Sequence, residues 1–307
     1  MPKSQKGILW FLFSRFSFSL SAVVIREFPF SPLQFNFIRA FFVSVVLFPV
    51  IWFSRKRKPF RSHQPVLMTL RVVLASVGLM CFYYTFQTMT LAKAMTIAST
   101  QTFLTPVFAK IFLKEKVGIR RWLAISMGYL GIWIALDPIY SGIDFPEFIA
   151  LVNVVLTATV NTMSKKLVHN DSPFLVMFYA GIASLLLVGI PWVTQPSWNL
   201  VLSLPTWPNM SLIMFLTLVC TLGPFGFFGQ FGYLKAYTFA DLSLLMPYEY
   251  FSFIFFTLLG YMFFDQIPAT NVWVAMGIII FGTTLLASYE LRTARSYKKA
   301  QEKKRAV

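Results

Sequence analysis

The sequence predicts an all-α integral membrane protein with ten transmembrane helices in two inverted repeats of five helices. Three observations predict this class. Hydrophobic residues make up 57% of the 307 residues, while charged residues make up only 12%. The apolar residues fall into ten stretches of the length that crosses a bilayer, which is roughly 20 residues. Basic residues concentrate in every second connection between these stretches and at both ends of the chain.

The predicted spans follow one another with short connections. They lie near residues 8–27, 33–53, 67–89, 92–113, 119–137, 147–168, 174–194, 211–234, 242–263 and 271–290. The first span has no small-residue cleavage site after its apolar run and contains Arg15, so we interpret it as a retained helix rather than a signal peptide. The longest connection, 195–210, carries Trp198 and Trp207, which is typical of a segment at the membrane surface.

The basic residues predict the orientation. Of the 27 Lys and Arg residues, 23 lie on one side of the predicted membrane. Short loops rich in Lys and Arg stay in the cytoplasm, so both termini are predicted to be cytoplasmic. The net charge of +16 is therefore an orientation signal, and without a folded basic face it does not indicate a nucleic-acid partner. The basic tail 292–307 either lies on anionic lipid or is disordered.

A weak internal repeat divides the chain. Glu115 is followed by Trp122 and Gly128, and Asp265 is followed by Trp273 and Gly277 at similar spacing. The segment LAKA at 91–94 has an echo in YLKA at 233–236. Because five spans are an odd number, two such halves would have opposite orientation, as in many secondary transporters. We predict halves at 1–145 and 146–291, followed by the cytoplasmic tail 292–307.

Two longer segments resemble a known family. Residues 82–138 contain Pro106, then Glu115 after eight residues and the run VGIRRW, and residues 247–290 begin with PYEY. Both segments resemble the halves of EamA-type members of the drug/metabolite transporter superfamily, and the resemblance covers most of the chain. Two features depart from the family pattern. They are Lys93, where an acid is expected, and Asp265 with Gln266, where Gly-Glu is more usual.

The resemblance implies a ten-helix carrier in the bacterial inner membrane, which moves a small polar metabolite by alternating access through a midplane cavity. Within the family, the chain looks closest to the branch of S-adenosylmethionine and riboflavin importers. S-adenosylmethionine or a similar heteroaromatic compound is therefore the first expected substrate. An exporter of amino acids or drugs is the alternative within the class. A non-transporting assembly protein or a lipid-handling protein is the alternative from another class.

Three ionisable residues lie deep in predicted spans. They are Arg15, Arg39 and Glu249. Such residues are costly in a bilayer and tend to face a cavity or a partner. At 1.5 Å per residue, Arg15 and Glu249 lie at a similar depth from the cytoplasmic side, so we predict that they form an ion pair and that Arg39 is available to an anionic substrate group. The alternative is that both arginines extend along their stems to the membrane surface.

Polar residues form one face of the sixth predicted span. Asn153, Thr157, Asn161 and Ser164 follow at steps of four, four and three, which places them on one side of a helix. Such a face indicates either a seam between helices or the wall of a wet cavity. The fourth span has a similar polar middle around Gln101, followed by Pro106.

The eighth predicted span is interrupted by small residues. Gly223, Gly226, Gly229 and Gly232 recur every third residue, with Pro224 beside the first and Gln230 among them. A helix interrupted by Gly and Pro indicates a hinge or binding site in a transporter, and Gly223, Pro224 and Gly226 are the predicted hinge. Close packing without movement is the alternative.

Aromatic and amide side chains complete the predicted cavity. Tyr84, Gln87 and Tyr248 carry polar atoms at depth, and the tyrosine rings could stack on a planar or cationic substrate. Core packing is the alternative for each ring. The predicted substrate-binding residues are Arg39, Tyr84, Gln87, Gln101, Asn161, Gln230, Tyr248 and Glu249.

The remaining motifs argue against other classes. The sequence has no paired histidines at metal-ligand spacing, no phosphate-binding glycine loop and no catalytic serine arrangement. Its two cysteines both lie in predicted spans, which makes a disulfide framework or a zinc site unexpected. We therefore expect no enzyme activity, no metal and no cofactor. A gradient or the membrane potential would drive transport. Glu249 makes protons a candidate coupling ion, whereas pairing with Arg15 would make it a structural anchor.

Overall fold

A computed structural model describes residues 3–27, 32–53, 60–88, 97–136, 144–194, 212–264 and 270–305. No strand occurs within these ranges, in agreement with the predicted all-α class. The helices are α1 (Lys3–Glu27), α2 (Pro32–Trp52), α3 (Pro65–Thr88), α4 (Gln101–Phe112), α5 (Ile119–Leu136), α6 (Phe145–Asn170), α7 (Pro173–Thr194), α8 (Leu212–Phe239), α9 (Leu242–Leu245), α10 (Phe251–Phe264) and α11 (Thr270–Arg305).

Several of these helices have the length and composition of membrane spans. The segments Pro65–Phe82, Phe145–Asn170, Leu242–Phe263 and Val272–Tyr289 are each at least 18 residues long and apolar enough to cross a bilayer. Large apolar side chains also cover the outside of the bundle. On α2, for example, Phe41, Val45, Phe48 and Trp52 are exposed at steps of four, three and four. An apolar stripe of this kind indicates a surface that faces lipid.

Two helices differ from the predicted spans. The last helix, α11, continues without a break to Arg305, whereas the predicted span ends at 290. The tail from residue 292 to 305 is therefore helical rather than disordered, because most of its residues are Lys, Arg and Ala, which favour helix. The predicted span 242–263 is not one regular helix either. A 3-10 segment, Met246–Tyr250, separates α9 from α10.

The helices pack mainly across the middle of the sequence. Helix α1 contacts α8 and α10, α2 contacts α7 and α8, α3 contacts α6 and α7, α4 contacts α6, and α5 contacts α11. Each of these pairs joins a helix from residues 3–136 with a helix from residues 144–305. A continuous core of fully buried side chains, including Leu47, Ile125, Leu167 and Leu245, fills the space between them.

Helix α6 supplies the polar face that the sequence predicts. Its start is fixed by Asp144 and Glu147, since the Asp144 N–H donates to Glu147 Oε2 at 3.0 Å. An acceptor three residues after the N-cap residue satisfies an otherwise free backbone donor at a helix start. From this point α6 runs alongside α3 and α8, so its polar face lies inside the bundle.

Candidate functional site

An ion pair lies in the interior of the bundle, between α1 and the 3-10 segment. Arg15 Nη1 donates to Glu249 Oε1 at 2.6 Å, and the two side chains are 13% and 20% exposed. Pro247, two residues before Glu249, lacks a backbone N–H and so cannot continue the helical hydrogen-bond ladder of α9. Pro247 lies in the first turn of the 3-10 segment Met246–Tyr250, which places Glu249 against Arg15 of α1.

Aromatic rings surround the Arg15 guanidinium. Its central carbon lies 4.7 Å from the Phe11 ring centre, 5.3 Å from that of Phe18 and 5.7 Å from that of Tyr233. Phe11 and Phe18 are about one helical turn away from Arg15 on α1, and Tyr233 comes from α8. Ring faces attract a cation electrostatically, and the attraction is larger where water is excluded. The rings therefore hold the positive charge in place beside Glu249.

Tyr233 connects this pair to the polar face of α6. Its hydroxyl donates to Asn161 Oδ1 at 2.9 Å. Three residues further along α6, the Ser164 hydroxyl accepts a hydrogen bond from Arg71 Nε at 3.1 Å. We call this set of connected side chains the polar layer; it consists of Arg15, Glu249, Tyr233, Asn161, Arg71 and Ser164.

The polar layer lies toward one end of the bundle. Arg71 is six residues from the start of α3, and Ser164 and Tyr233 are six residues from the ends of α6 and α8. At 1.5 Å per residue each is about 9 Å from its helix end. The basic-residue pattern predicts that this end is cytoplasmic. The sequence predicts a substrate cavity at the membrane midplane. The polar layer lies nearer to the predicted cytoplasmic side than that midplane does.

Sequence reasoning missed Arg71 as an interior residue. Arg71 is only six residues into α3 and follows a basic connection, so its place in the sequence indicates a position near the surface. In the structure it is buried, with 4% of its surface exposed. Lys165, beside Lys166 near the end of the predicted span 147–168, is a similar case. It lies in α6 and its Nζ donates to the carbonyls of Tyr237 and Ala240 at 2.6 and 2.5 Å. A helical face that includes Asn161 and Ser164 was the signal that could have placed Lys165.

The structure does not bring all predicted site residues together. Arg39 donates from Nη2 to Asn36 Oδ1 at 3.0 Å on α2. Tyr84 lies near the other end of α3 and packs edge to face on Phe145, with ring centres 6.0 Å apart. It is 13 residues from Arg71, or about 20 Å along the helix, so the two side chains do not share one compact site.

The other predicted residues lie on elements around the layer. Tyr248 is buried next to Glu249 in the 3-10 segment and stacks on Phe251, with ring centres 6.2 Å apart. Gln101 begins α4 and Gln230 lies in α8, and both are half-buried. The side chain of Gln87 lies outside the part of the chain that the structure describes.

The glycines of α8 face α1 and α2 closely. A Cβ at Gly226 would lie 2.5 Å from Arg39 Cδ, and one at Gly229 would lie 2.9 Å from the Phe18 ring. Ser14 on α1 also donates to the Gly229 carbonyl at 2.6 Å. Residues three apart form a ridge that runs obliquely around a helix, so the stripe passes from α2 to α1. The helix continues through Gly223 and Pro224, and at Gly226 and Gly229 the neighbouring side chains leave little room for a Cβ.

A second polar cluster lies beyond the layer, at the start of α9. Glu115, after α4, accepts hydrogen bonds from the backbone N–H groups of Leu242 and Ser243 at 3.0 and 3.1 Å. Arg121 on α5 donates to the Ser243 hydroxyl at 2.7 Å and lies 3.5 Å from Asp241. A carboxylate at a helix start satisfies free N–H groups. These side chains, here called the end cluster, join the two parts of the sequence.

Asp171 ties the connection after α6 to the segment before α3. It accepts hydrogen bonds from the Ser62 hydroxyl, at 2.5 Å, and from the His63 backbone N–H, at 2.9 Å, and its Oδ1 lies 2.8 Å from His63 Nδ1. Burial raises the pKa of this carboxyl, but the hydrogen bonds from Ser62 and His63 outweigh burial and lower the pKa below its ordinary value. A cavity of about 670 Å³ beside Ser62 and His63 is lined also by Phe60 and Tyr179.

Comparisons with known proteins agree with the resemblance read from the sequence. Residues 5–136 and residues 145–288 each match the model of the EamA-like transporter family. A riboflavin transporter of Vibrio cholerae is 25% identical over 300 residues, which cover 94% of this chain and 95% of that protein. An S-adenosylmethionine uptake transporter of Rickettsia bellii is 27% identical over 301 residues, which cover 95% of this chain and 96% of that protein.

A solved crystal structure shares the fold. It superposes with a TM-score of 0.74 at 15% sequence identity, and the match covers 94% of this chain and 98% of the other. At this identity the likeness concerns the fold alone.

Proposed function

Because the chain belongs to the EamA-like transporter family, we propose that it is a secondary-active carrier of a small polar metabolite in the bacterial inner membrane. The chain is a multi-pass membrane protein, and the relatives are named as transporters of small metabolites. The observation that carries the proposal is the polar layer in the interior of the bundle.

The polar layer has the composition of a transport site. Ionisable side chains inside a membrane protein are costly, and they are retained where they face a substrate or an ion route. Arg15 and Arg71 come from helices of the first part of the sequence, and Asn161, Tyr233 and Glu249 come from the second. A substrate that enters among them would contact both parts at once, which alternating access requires.

The helix contacts support two inverted halves, 1–145 and 146–291, followed by the tail 292–307. In two repeats of five helices, α1 corresponds to α6, α3 to α8, and α4 to α10. If each helix is exchanged for the one to which it corresponds, the contact of α1 with α8 becomes that of α6 with α3. In the same way, the contact of α1 with α10 becomes that of α6 with α4. Both contacts of each pair occur. Such an exchange is expected from a pseudo-twofold axis in the membrane plane.

The end cluster supports a closed cytoplasmic side in this conformation. Glu115 and Arg121 from the first half bind Ser243 from the second half. Leu242, Leu244 and Leu245 are buried beside them. We infer that these contacts separate when the carrier opens to the cytoplasm, where both termini lie. Gly223, Pro224 and Gly226 remain the proposed hinge for that movement.

The substrate proposal follows the relatives and the rings around Arg15. One relative is named for riboflavin and another for S-adenosylmethionine, and both compounds contain planar heteroaromatic rings. Phe11, Phe18 and Tyr233 offer ring faces in the interior, on which such compounds could stack. Arg39, Tyr84, Gln87, Gln101, Gln230 and Tyr248 are proposed to line the route outside the polar layer.

Transport into proteoliposomes tests the proposal. Labelled S-adenosylmethionine and riboflavin are offered under an imposed pH gradient, an imposed membrane potential, or neither. We expect saturable uptake of one compound that depends on one of these forces. Uptake driven by the pH gradient alone would indicate coupling to protons. Lack of uptake of both compounds, in protein that remains folded and inserted, would contradict the proposed substrates.

Variants of the ion pair connect uptake to the polar layer. Glu249→Gln and Arg15→Met should each abolish uptake, whereas Arg120→Met, a change at an exposed arginine on α5, should leave it intact. The exchanged pair Arg15→Glu with Glu249→Arg restores opposite charges. Its recovery of part of the uptake would support a positioning role for the pair. Full activity of both single variants would contradict a role of the layer in transport.

A further inference from the structure

Arg71 is buried with part of its guanidinium unused. Only 4% of its surface is exposed. Its Nε donates to the Ser164 hydroxyl at 3.1 Å, but its buried Nη1 has no hydrogen-bond partner among the residues that the structure describes. A guanidinium carries five N–H donors in a planar fork. One side of this fork is therefore held by α6, while Nη1 has no acceptor in the conformation described.

No carboxylate balances this charge within the described ranges. Glu249 pairs with Arg15, Asp171 contacts His63, and Asp241 lies near Arg121, so none of these carboxylates is paired with Arg71. Arginine keeps its charge in proteins, and a buried charge without a counter-ion is strongly unfavourable. A buried arginine of this kind therefore requires an anionic partner that the described part of the chain does not supply.

A second unused donor lies beside Arg71. The Tyr237 side chain is 1% exposed, and its buried hydroxyl has no hydrogen-bond partner in the described ranges. Tyr237 lies within electrostatic reach of Arg71, and its ring centre is 4.4 Å from that of Tyr233 in the polar layer. A carboxylate has two acceptor oxygens and binds arginine through short, charge-assisted hydrogen bonds. A guanidinium N–H and a phenolic O–H supply one donor for each oxygen.

Resting on the transport function proposed above, we propose that Arg71 and Tyr237 bind the carboxylate of the transported metabolite. The charge of the layer supports this assignment. Arg15 and Glu249 balance each other, so Arg71 leaves the layer with a net positive charge. The assignment favours one of the two compounds for which the relatives are named. S-adenosylmethionine carries an amino-acid carboxylate, whereas riboflavin carries none.

A matched pair of ligands tests the carboxylate directly. S-adenosylmethionine and decarboxylated S-adenosylmethionine differ only in that group. Binding of each to the purified full chain is measured by titration calorimetry and by thermal unfolding. Hydrogen bonds to charged groups each contribute enough for about a tenfold change in affinity or more. We therefore expect the wild-type chain to bind S-adenosylmethionine at least about tenfold more tightly than the decarboxylated compound.

Variants then assign the preference to the two side chains. In Arg71→Met both compounds should bind with similar affinity, because the charge-assisted contact is lost. Arg71→Met leaves no carboxylate without its counter-ion, because Arg71 forms no ion pair in the described ranges. Tyr237→Phe is a milder change that removes only a hydroxyl without a partner there. Tyr237→Phe should lower the preference severalfold. Arg120→Met, at an exposed arginine on α5, is the matched control and should retain the wild-type preference.

The outcomes separate this inference from the proposed function. Equal binding of the two compounds by the wild-type chain, binding of riboflavin alone, or an unchanged preference in Arg71→Met would overturn the carboxylate site while leaving transport in place. Stabilisation of the wild type but not of Arg71→Met by chloride or phosphate, without a ligand preference, would assign the site to an inorganic anion and overturn it too. Lack of binding and of uptake of all three compounds would overturn the proposed function and this inference with it.

Discussion

Glu115 accepts two hydrogen bonds from Ser243, one from the backbone N–H at 3.1 Å and one from the hydroxyl at 3.0 Å. The two residues are 128 positions apart in the sequence. Glu115 lies between α4 and α5, and Ser243 lies in the first turn of α9. This contact therefore connects the proposed halves at the start of the broken helix that carries Glu249.

Replacement of Glu115 should weaken this end of the bundle. Glu115→Ala leaves the first N–H groups of α9 without an acceptor, so we expect the free energy of unfolding to fall by about 2 kcal/mol. We also expect Leu244→Cys, at a buried position, to react faster with a water-soluble thiol reagent when combined with Glu115→Ala. The background lacks Cys81 and Cys220. Lys116→Ala, at an exposed neighbour, is the control. If Leu244→Cys reacts at the same rate with Glu115→Ala as with Lys116→Ala, these contacts do not form a gate.

The Arg15–Glu249 pair should show strong thermodynamic coupling. Removal of one partner of a buried pair leaves the other charge uncompensated, which costs about 3 kcal/mol or more. Glu249→Gln and Arg15→Met should therefore each lower the unfolding temperature. The double variant should be more stable than the sum of the single effects predicts. Additive effects in this double-mutant cycle would show that the 2.6 Å contact contributes nothing to stability.

Gly226 offers a test that separates packing from a hinge. A Cβ at this position would lie 2.5 and 2.6 Å from Cδ and Cγ of Arg39, so Gly226→Ala should destabilise the protein by about 1–3 kcal/mol through overpacking. Shortening the neighbour in Gly226→Ala with Arg39→Ala should recover stability measured by thermal unfolding. A packing role predicts this recovery. Loss of transport by Gly226→Ala without any change in stability would favour the hinge.

Asp171 should make stability depend on pH in the acid range. The folded state lowers the pKa of this carboxyl below its unfolded value, so the folded state favours the carboxylate form. Its contribution is complete above the unfolded pKa, near 4, and is lost as pH falls from there through the lowered folded pKa. Asp171→Asn should therefore flatten the dependence of the unfolding temperature between about pH 5 and pH 3. An identical acid profile in both proteins would contradict this role of the Ser62 and His63 hydrogen bonds.

The helix positions could be predicted closely where hydropathy defines them. The predicted spans 33–53 and 174–194 compare with α2 at Pro32–Trp52 and α7 at Pro173–Thr194. The continuation of α11 to Arg305 was not predicted, because hydropathy marks the part of a helix that crosses lipid and not where helical hydrogen bonding ends. The 3-10 segment before α10 was not predicted for a related reason, since an apolar run has the same hydropathy whether it forms an α-helix or a 3-10 helix.

The sequence by itself determined the class of the protein and its family, because periodic hydropathy and family motifs can be read along one chain. It also predicted that Arg15 and Glu249 meet, because their depths agree. Only the tertiary structure decided that Arg71 is buried against Ser164 and that Tyr84 packs on Phe145, about 20 Å along α3 from Arg71. Side-chain packing between residues distant in sequence decides which helices become neighbours and how each helix is rotated. Hydropathy does not predict that packing.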